Sequence, residues 1–111
     1  MGKKYLRKNE FRFDINPKHL NSKKRPHPAY IIARYGHQYK ANEITHSRTV
    51  NGVSNIDILE NPNKLSKDKR QTRISPPFWQ SEKQFSVEKL TNFRFSNRTR
   101  KQIKKINKKF K

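Results

Sequence analysis

Two short apolar runs around one glycine constrain this chain more than any other feature. Ala29 to Ala33 is a β-branched and aromatic run, Arg34-Tyr35-Gly36-His37 supplies a turn, and Gln38 to Thr45 returns. The first run is consistent with a strand buried on both faces, and the half-polar second run with a strand wet on one face. Gly36 takes a positive φ without a steric penalty, as a tight hairpin turn requires. Arg25-Pro26-His27-Pro28 stiffens the entry, because each proline fixes its own φ and pushes the preceding residue towards extended geometry.

The rest of the chain repeats the pattern of short strands between turn signals. Phe11, Phe13 and Ile15 alternate with polar residues, so they would share one strand face until Asn16-Pro17 ends it. Lys18 to Lys24 reads as a basic loop, His46 to Asn51 as another, and Gly52 to Leu59 as a strand stopped at Glu60-Asn61-Pro62-Asn63. Lys64 to Arg70 reads as a charged loop, Gln71 to Ser75 as a short strand ended by Pro76-Pro77, and Lys83 to Phe85 as a last strand. From Ser96, a good N-cap, the period becomes helical, with Ile103, Ile106 and Phe110 at i, i+3 and i+7. Several short strands with turn signals favour a closed barrel over an open sheet. The expected fold is therefore mainly β: one domain over 1–111, with a flexible segment at 1–9, a small SH3-like barrel at 10–95 and a basic C-terminal helix at 96–110.

Charge narrows the function. Against 28 Lys and Arg stand only 8 Asp and Glu, a formal net charge of +20 spread along the whole chain. Self-repulsion of that size opposes compaction, and a polyanion relieves it, so nucleic acid is the expected partner. Solubility alone needs only about 2–8 charges. Three cationic groups stand out: Lys23, Lys24 and Arg25; Lys69, Arg70 and Arg73 in the charged loop and the strand after it; and Arg98, Arg100, Lys101, Lys104 and Lys105 on the helix. Tyr35 and Tyr39, near the turn, offer stacking faces for unpaired bases, whereas Tyr30 and Phe78 read as core; Trp79 suits either role. The absence of cysteine excludes disulfides, thiolate metal sites and cysteine nucleophiles. No histidine group has ligand spacing, so no metal or cofactor is expected. No stretch approaches the length of a membrane span, which makes a cytoplasmic location the expectation.

The residues that cluster at the ends of the hairpin suit phosphodiester chemistry. Cleaving RNA without metal needs a base for the 2′-OH, a cation for the phosphorane oxygens and an acid for the leaving 5′-oxygen. His27 and His46 suit the proton transfers, Arg25 the phosphate, and Thr45 and Ser47 can donate hydrogen bonds. In a barrel of this strand order the loop before one strand approaches the end of the next, which would bring these five residues together.

The order of elements resembles the MazF/PemK family, the endoribonuclease toxins of bacterial toxin–antitoxin systems. Phe11 to Ile15 resembles that family's first strand, His27-Pro28-Ala29-Tyr30-Ile31-Ile32 its Arg-Pro and aliphatic strand, and Glu43-Ile44-Thr45-His46-Ser47 its strand ending in an aliphatic-Thr pair. Thr72 to Ser75 and the Gln80 region resemble its late strand, and the segment after Ser96 its C-terminal helix. The resemblance implies a metal-independent endoribonuclease with Thr45 in the threonine role and either His27 or Arg25 in the arginine role. It also implies a homodimer and an acidic antitoxin partner. RNA is expected over DNA. The alternative is a non-catalytic nucleic-acid-binding protein of a phage or mobile element, including an inhibitor of the anti-CRISPR type.

Overall fold

A computed structural model of the chain describes residues 9–20, 24–50 and 52–110. The architecture is mainly β, with one C-terminal helix. The strands are β1 (Phe11–Asp14), β2 (His27–Tyr35), β3 (Gln38–Thr45), β4 (Thr49–Val50), β5 (Val53–Ser54), β6 (Ile56–Asp57), β7 (Arg73–Ile74) and β8 (Phe78–Ser81). The helix α1 spans Asn97–Asn107.

The hairpin of β2 and β3 is the spine. Gly36 turns it with a φ of +61°. All pairings are antiparallel, in the order β1-β2-β3-β7-β6, with β8 also on β3. The sheet curls back on itself beyond β8. Ile15 N–H donates to the Gln84 carbonyl, Ser86 N–H to Phe13 and Leu90 N–H to Phe11, so the segment after β8 runs beside β1.

Strand periodicity divides the core in two. Ala29 and Ile31 face a cluster with Tyr39, Ala41 and Phe85. Tyr30 faces the other way, into a cluster with Phe11, Ile44, Ile58, Ile74, Phe95 and Ile103. Strand β2 is thus buried on both sides along its middle. In the larger cluster Tyr30 meets Phe95 edge-on at a 5.0 Å centroid distance, and Phe11 lies 5.1 Å from Tyr30 and 5.2 Å from Phe95.

The helix starts where Ser96 Oγ accepts the Thr99 N–H at 3.3 Å. Glu60 Oε1 accepts the Ser96 N–H at 2.6 Å. Partial burial pushes the Glu60 carboxyl up, but bonds from the Ser96 N–H, Thr99, the Ser96 hydroxyl and Lys64 outweigh it and hold its pKa at about 2. Asn42 and Asn107 exchange both amide bonds, at 2.9 and 2.8 Å, and tie the end of the helix to β3. This pair explains why Asn42 is fully buried on a strand expected to be wet on one face.

Several local expectations are corrected. Strand β1 has no wet face: Arg12 and Asp14 are buried as well as Phe11, while Ile15 is 43% exposed. The Arg12 guanidinium bonds the Val87 carbonyl, and Asp14 accepts from His19 Nδ1 and Gln80 Nε2, so both polar side chains are enclosed by partners. Residues 83–85 form no strand; Glu82–Gln84 is a 3-10 turn capped by Ser81. The expected strand 52–59 is broken, because Gly52, at φ +78°, turns β4 into β5. Helix α1 stops at Asn107, so Phe110 lies beyond it and is 41% exposed. Asn9 is held by its N–H bond to the Ile31 carbonyl, whereas residues 1–8 lie outside the described residues.

Replacing Phe11 with Ala should cost about 3–5 kcal/mol, measured by urea unfolding. Asn42→Ala should cost about 1–3 kcal/mol by leaving the Asn107 amide unpaired, whereas Lys105→Ala on the exposed helix face should stay within about 0.5 kcal/mol.

Candidate active-site cavity

A cavity of about 460 Å³ opens where β2 begins and β3 ends. Arg25, Pro26, His27 and Pro28 form one wall, and Ile44, Thr45, His46 and Ser47 the next. The third wall is Asn61, Asn63, Ser66 and Arg70, with Phe93 behind them. The structure therefore brings Arg25, His27, Thr45, His46 and Ser47 into one cavity. Among the described residues, no Asp or Glu lines it.

Local backbone geometry delivers these groups. Lys24 sits at φ +61°, a left-handed conformation that costs a non-glycine residue about 1–2 kcal/mol and turns the chain sharply before Arg25. His27 opens β2 opposite Asp14. Burial drives the His27 pKa below its ordinary value, and the charge of His46 adds to this, while a bond to the Ile44 backbone and the charge of Asp14 oppose it. The net result is an imidazole that is neutral at pH 7.

His46 is fixed from both nitrogens. Its Nδ1 donates to the Gln71 carbonyl at 3.1 Å, and its Nε2 lies 3.5 Å from Asp68 Oδ2. Arg70 also grips Asp68, with Nη2 to Oδ2 at 2.6 Å, and bonds from the Arg70 side chain and backbone hold the Asp68 carboxyl far below the usual range. Thr45 is only 6% exposed, and its Oγ1 accepts the Ser47 N–H at 3.1 Å. Its hydroxyl therefore shapes the corner as well as bordering the cavity.

The expected nucleic-acid contacts divide. Tyr35 is 82% exposed at the hairpin tip, and Lys24, Lys69, Arg70, Arg98, Lys101, Lys104 and Lys105 are exposed too. Tyr39 is corrected: it is fully buried against Phe85, because its place on β3 faces the smaller core cluster. Arg73 is corrected as well. Its Nε donates to Asp57 at 2.8 Å and its Nη1 to the His46 carbonyl at 2.7 Å, so it braces the cavity corner. Arg100, on α1, is half-buried, and Lys23 lies outside the described residues.

Sequence reasoning missed two groups. Asn61 and Asn63 read only as strand breakers, yet each forms a turn, with its Oδ1 accepting the N–H two residues on, at 3.0 and 3.1 Å, and each borders the cavity. The available signal was the Asn-Pro-Asn spacing itself, which suits successive Asx turns. The second group is Asp14, His19 and Glu43, whose ligand-type atoms lie within 4.8 Å of one another. One nitrogen and two oxygens form a donor set that a first-row divalent cation can take. Hydrogen bonding already organises it: Asp14 Oδ2 accepts from His19 Nδ1 at 2.8 Å, and Oδ1 from the Asn16 N–H and Gln80 Nε2 at 3.1 and 2.9 Å. Burial, reinforced by the charge of Asp14, pushes the Glu43 pKa to about 8. At neutral pH Glu43 thus keeps its proton beside Asp14.

No protein-family model, no curated protein and no solved structure matches this chain. The site's meaning must come from its own chemistry.

The Glu43 shift predicts a pH-dependent stability. The folded state keeps this proton up to a pKa of about 8, whereas the unfolded chain releases it near 4.5. The folded state then binds more protons, so stability falls as pH rises between those values, by up to about 1.4 kcal/mol per unit. Glu43→Gln should flatten the slope of melting temperature against pH across that window, as read by thermal unfolding.

Proposed function

We propose that this chain is an RNA-binding protein that cleaves single-stranded RNA in the Arg25–His27–Thr45–His46 cavity without metal. One observation carries the reading: two histidines with different hydrogen-bond environments border one cavity that has arginines on two of its walls. His27, neutral at pH 7, serves as the base and takes the proton of the ribose 2′-OH. The 2′-oxygen then attacks phosphorus as the bond to the 5′-oxygen breaks. His46 borders the same cavity and returns a proton to that leaving oxygen through Nε2, which must first turn from its 3.5 Å contact with Asp68. Arg25 and Arg70 offset the charge on the non-bridging oxygens. The products are a 2′,3′-cyclic phosphate and a free 5′-hydroxyl.

The MazF/PemK-like reading belongs to the same proposal. It is supported by the order of strands before the terminal helix and by a cavity where the proline-bounded segment meets the Thr-His-Ser corner. An SH3-like barrel, a homodimer and an acidic neutralising partner are parts of that reading. The large uncompensated positive charge favours an acidic partner. Among the described residues no helix is long and apolar enough to cross a membrane; the proposed location is the cytoplasm.

The test is single-turnover cleavage of labelled single-stranded RNA in the presence of a chelator. His27→Ala and His46→Ala should each slow cleavage by about 10²–10⁴-fold while RNA affinity changes far less. Because His27 titrates below its ordinary value, the rate should rise with pH along a limb centred below 6.5. Tight binding with no cleavage by the wild type would instead identify a non-catalytic nucleic-acid-binding protein.

A further inference from the structure

A second hollow, of about 480 Å³, lies between α1 and the hairpin, away from the cavity. Its floor is Tyr30, Ile32, Ala33 and Ile103. Ile32 and Ala33 are consecutive, and in a regular strand they would point to opposite faces. The register between β2 and β3 slips between Ile31 and Ala33, and this bulge lets both line the groove.

The floor's polar atoms are already satisfied. Tyr30 Oη donates to Asn9 Oδ1 at 2.6 Å, and Asn107 is locked to Asn42. The floor therefore offers apolar contact and asks for no particular hydrogen-bonding edge. Around it stand Lys40, Arg100, Lys101, Lys104 and Lys108, and among the described residues no carboxylate. Lys40 also links the groove to an aromatic face: its Nζ lies 5.9 Å from the ring centroid of Trp79, its partner on β8, and Trp79 is 46% exposed.

The geometry points to a sequence-tolerant docking track for single-stranded nucleic acid in this groove, with bases against its apolar floor and Trp79 and phosphates on the cationic rim. The inference rests on the nucleic-acid half of the proposed function and adds a second, non-catalytic site. Unpaired bases fit the observations because a base needs only an apolar or aromatic face to stack on. A duplex keeps its bases inside and cannot reach such a floor. Rim cations supply the salt-dependent remainder of the affinity.

The experiment uses fluorescent oligo-dT and oligo-dA with the full chain, read by anisotropy and by emission of Trp79, the only tryptophan. Deoxy strands have no 2′-OH, so binding is read without cleavage. Both strands should bind with similar affinity and quench Trp79, and the dA·dT duplex should bind more weakly. The combined Lys40→Gln, Lys104→Gln and Lys108→Gln variant should bind at least about tenfold more weakly, with its log–log salt slope reduced by about 2. Ala33→Glu, which places a carboxylate on the floor, should weaken binding without lowering the affinity ratio of dT to dA. Should Ala33→Glu fail to fold, the lysine variant decides. Wild-type affinity in the lysine variant would overturn the inference, as would an acidic amphipathic peptide that binds the groove more tightly than the strands. If RNA is not cleaved but these variants lose affinity, the nuclease reading fails and the track stands; cleavage with unchanged strand affinity gives the reverse.

Discussion

Strand β3 divides one of its edges between two partners, and the rest of the molecule follows from that fork. Its first half pairs with β8 and its last two residues with β7, while β2 occupies the other edge. Ser75 fills the gap: its N–H donates to the Glu43 carbonyl, its Oγ accepts the Glu43 N–H, and its carbonyl accepts from Asn42 Nδ2, all at 2.9 Å. Pro76 and Pro77 follow at the point where the chain leaves the ladder, where a residue without an N–H donor loses nothing. The fork sends β7 towards the cavity end of β3 and β8 towards the hairpin tip. One strand thereby sets both the corner at Thr45 and His46 and the opposite edge at Lys40 and Trp79.

Charge is distributed to leave the surface cationic. Six of the eight acids are engaged by a basic or histidine partner: Glu10, Asp14, Asp57, Glu60, Asp68 and Glu82. Glu43 keeps its proton at neutral pH. These contacts place the acids at turns and strand ends, so the exposed lysines and arginines of the rims and the helix have few counter-charges. A polyanion is the partner that removes this repulsion, and both hollows present cations without carboxylates in their linings.

The two hollows divide the work by polarity. The cavity is walled by titratable and hydrogen-bonding side chains on rigid supports: a proline-bounded strand start, a threonine turn, two asparagine turns and the Arg73 brace. Such a site holds one phosphodiester in a fixed geometry. In the groove beside α1 the Tyr30 hydroxyl and the Asn107 amide are paired off, and a bulge widens its apolar floor. It suits many sequences equally and holds a strand without acting on it.

How much of this was legible beforehand depends on the range of the interaction. Gly36, the proline-bounded entry, the Ser96 cap and the double burial of β2 follow from local rules about φ, capping and periodicity, and they were read from the residues. The five candidates at the hairpin ends were named because histidine, arginine and hydroxyls suit phosphodiester chemistry; that they border one cavity depends on antiparallel register. Tyr39, Arg73, Asp14 and Glu43 owe their environments to residues distant in sequence: Phe85 behind Tyr39, Asp57 beside Arg73, Gln80 on Asp14 and Ser75 beside Glu43. The turns of Asn61 and Asn63 and the His19–Asp14 bond are local, and only their place beside the cavity or beside Glu43 depends on distant segments. By itself the sequence determined the strand-rich class, the helical end and the cationic surface, because these arise from neighbours along the chain. Only the tertiary structure decided which polar residues are buried, which cations are already engaged and where a groove remains open, because those outcomes depend on which distant segments the sheet brings into contact.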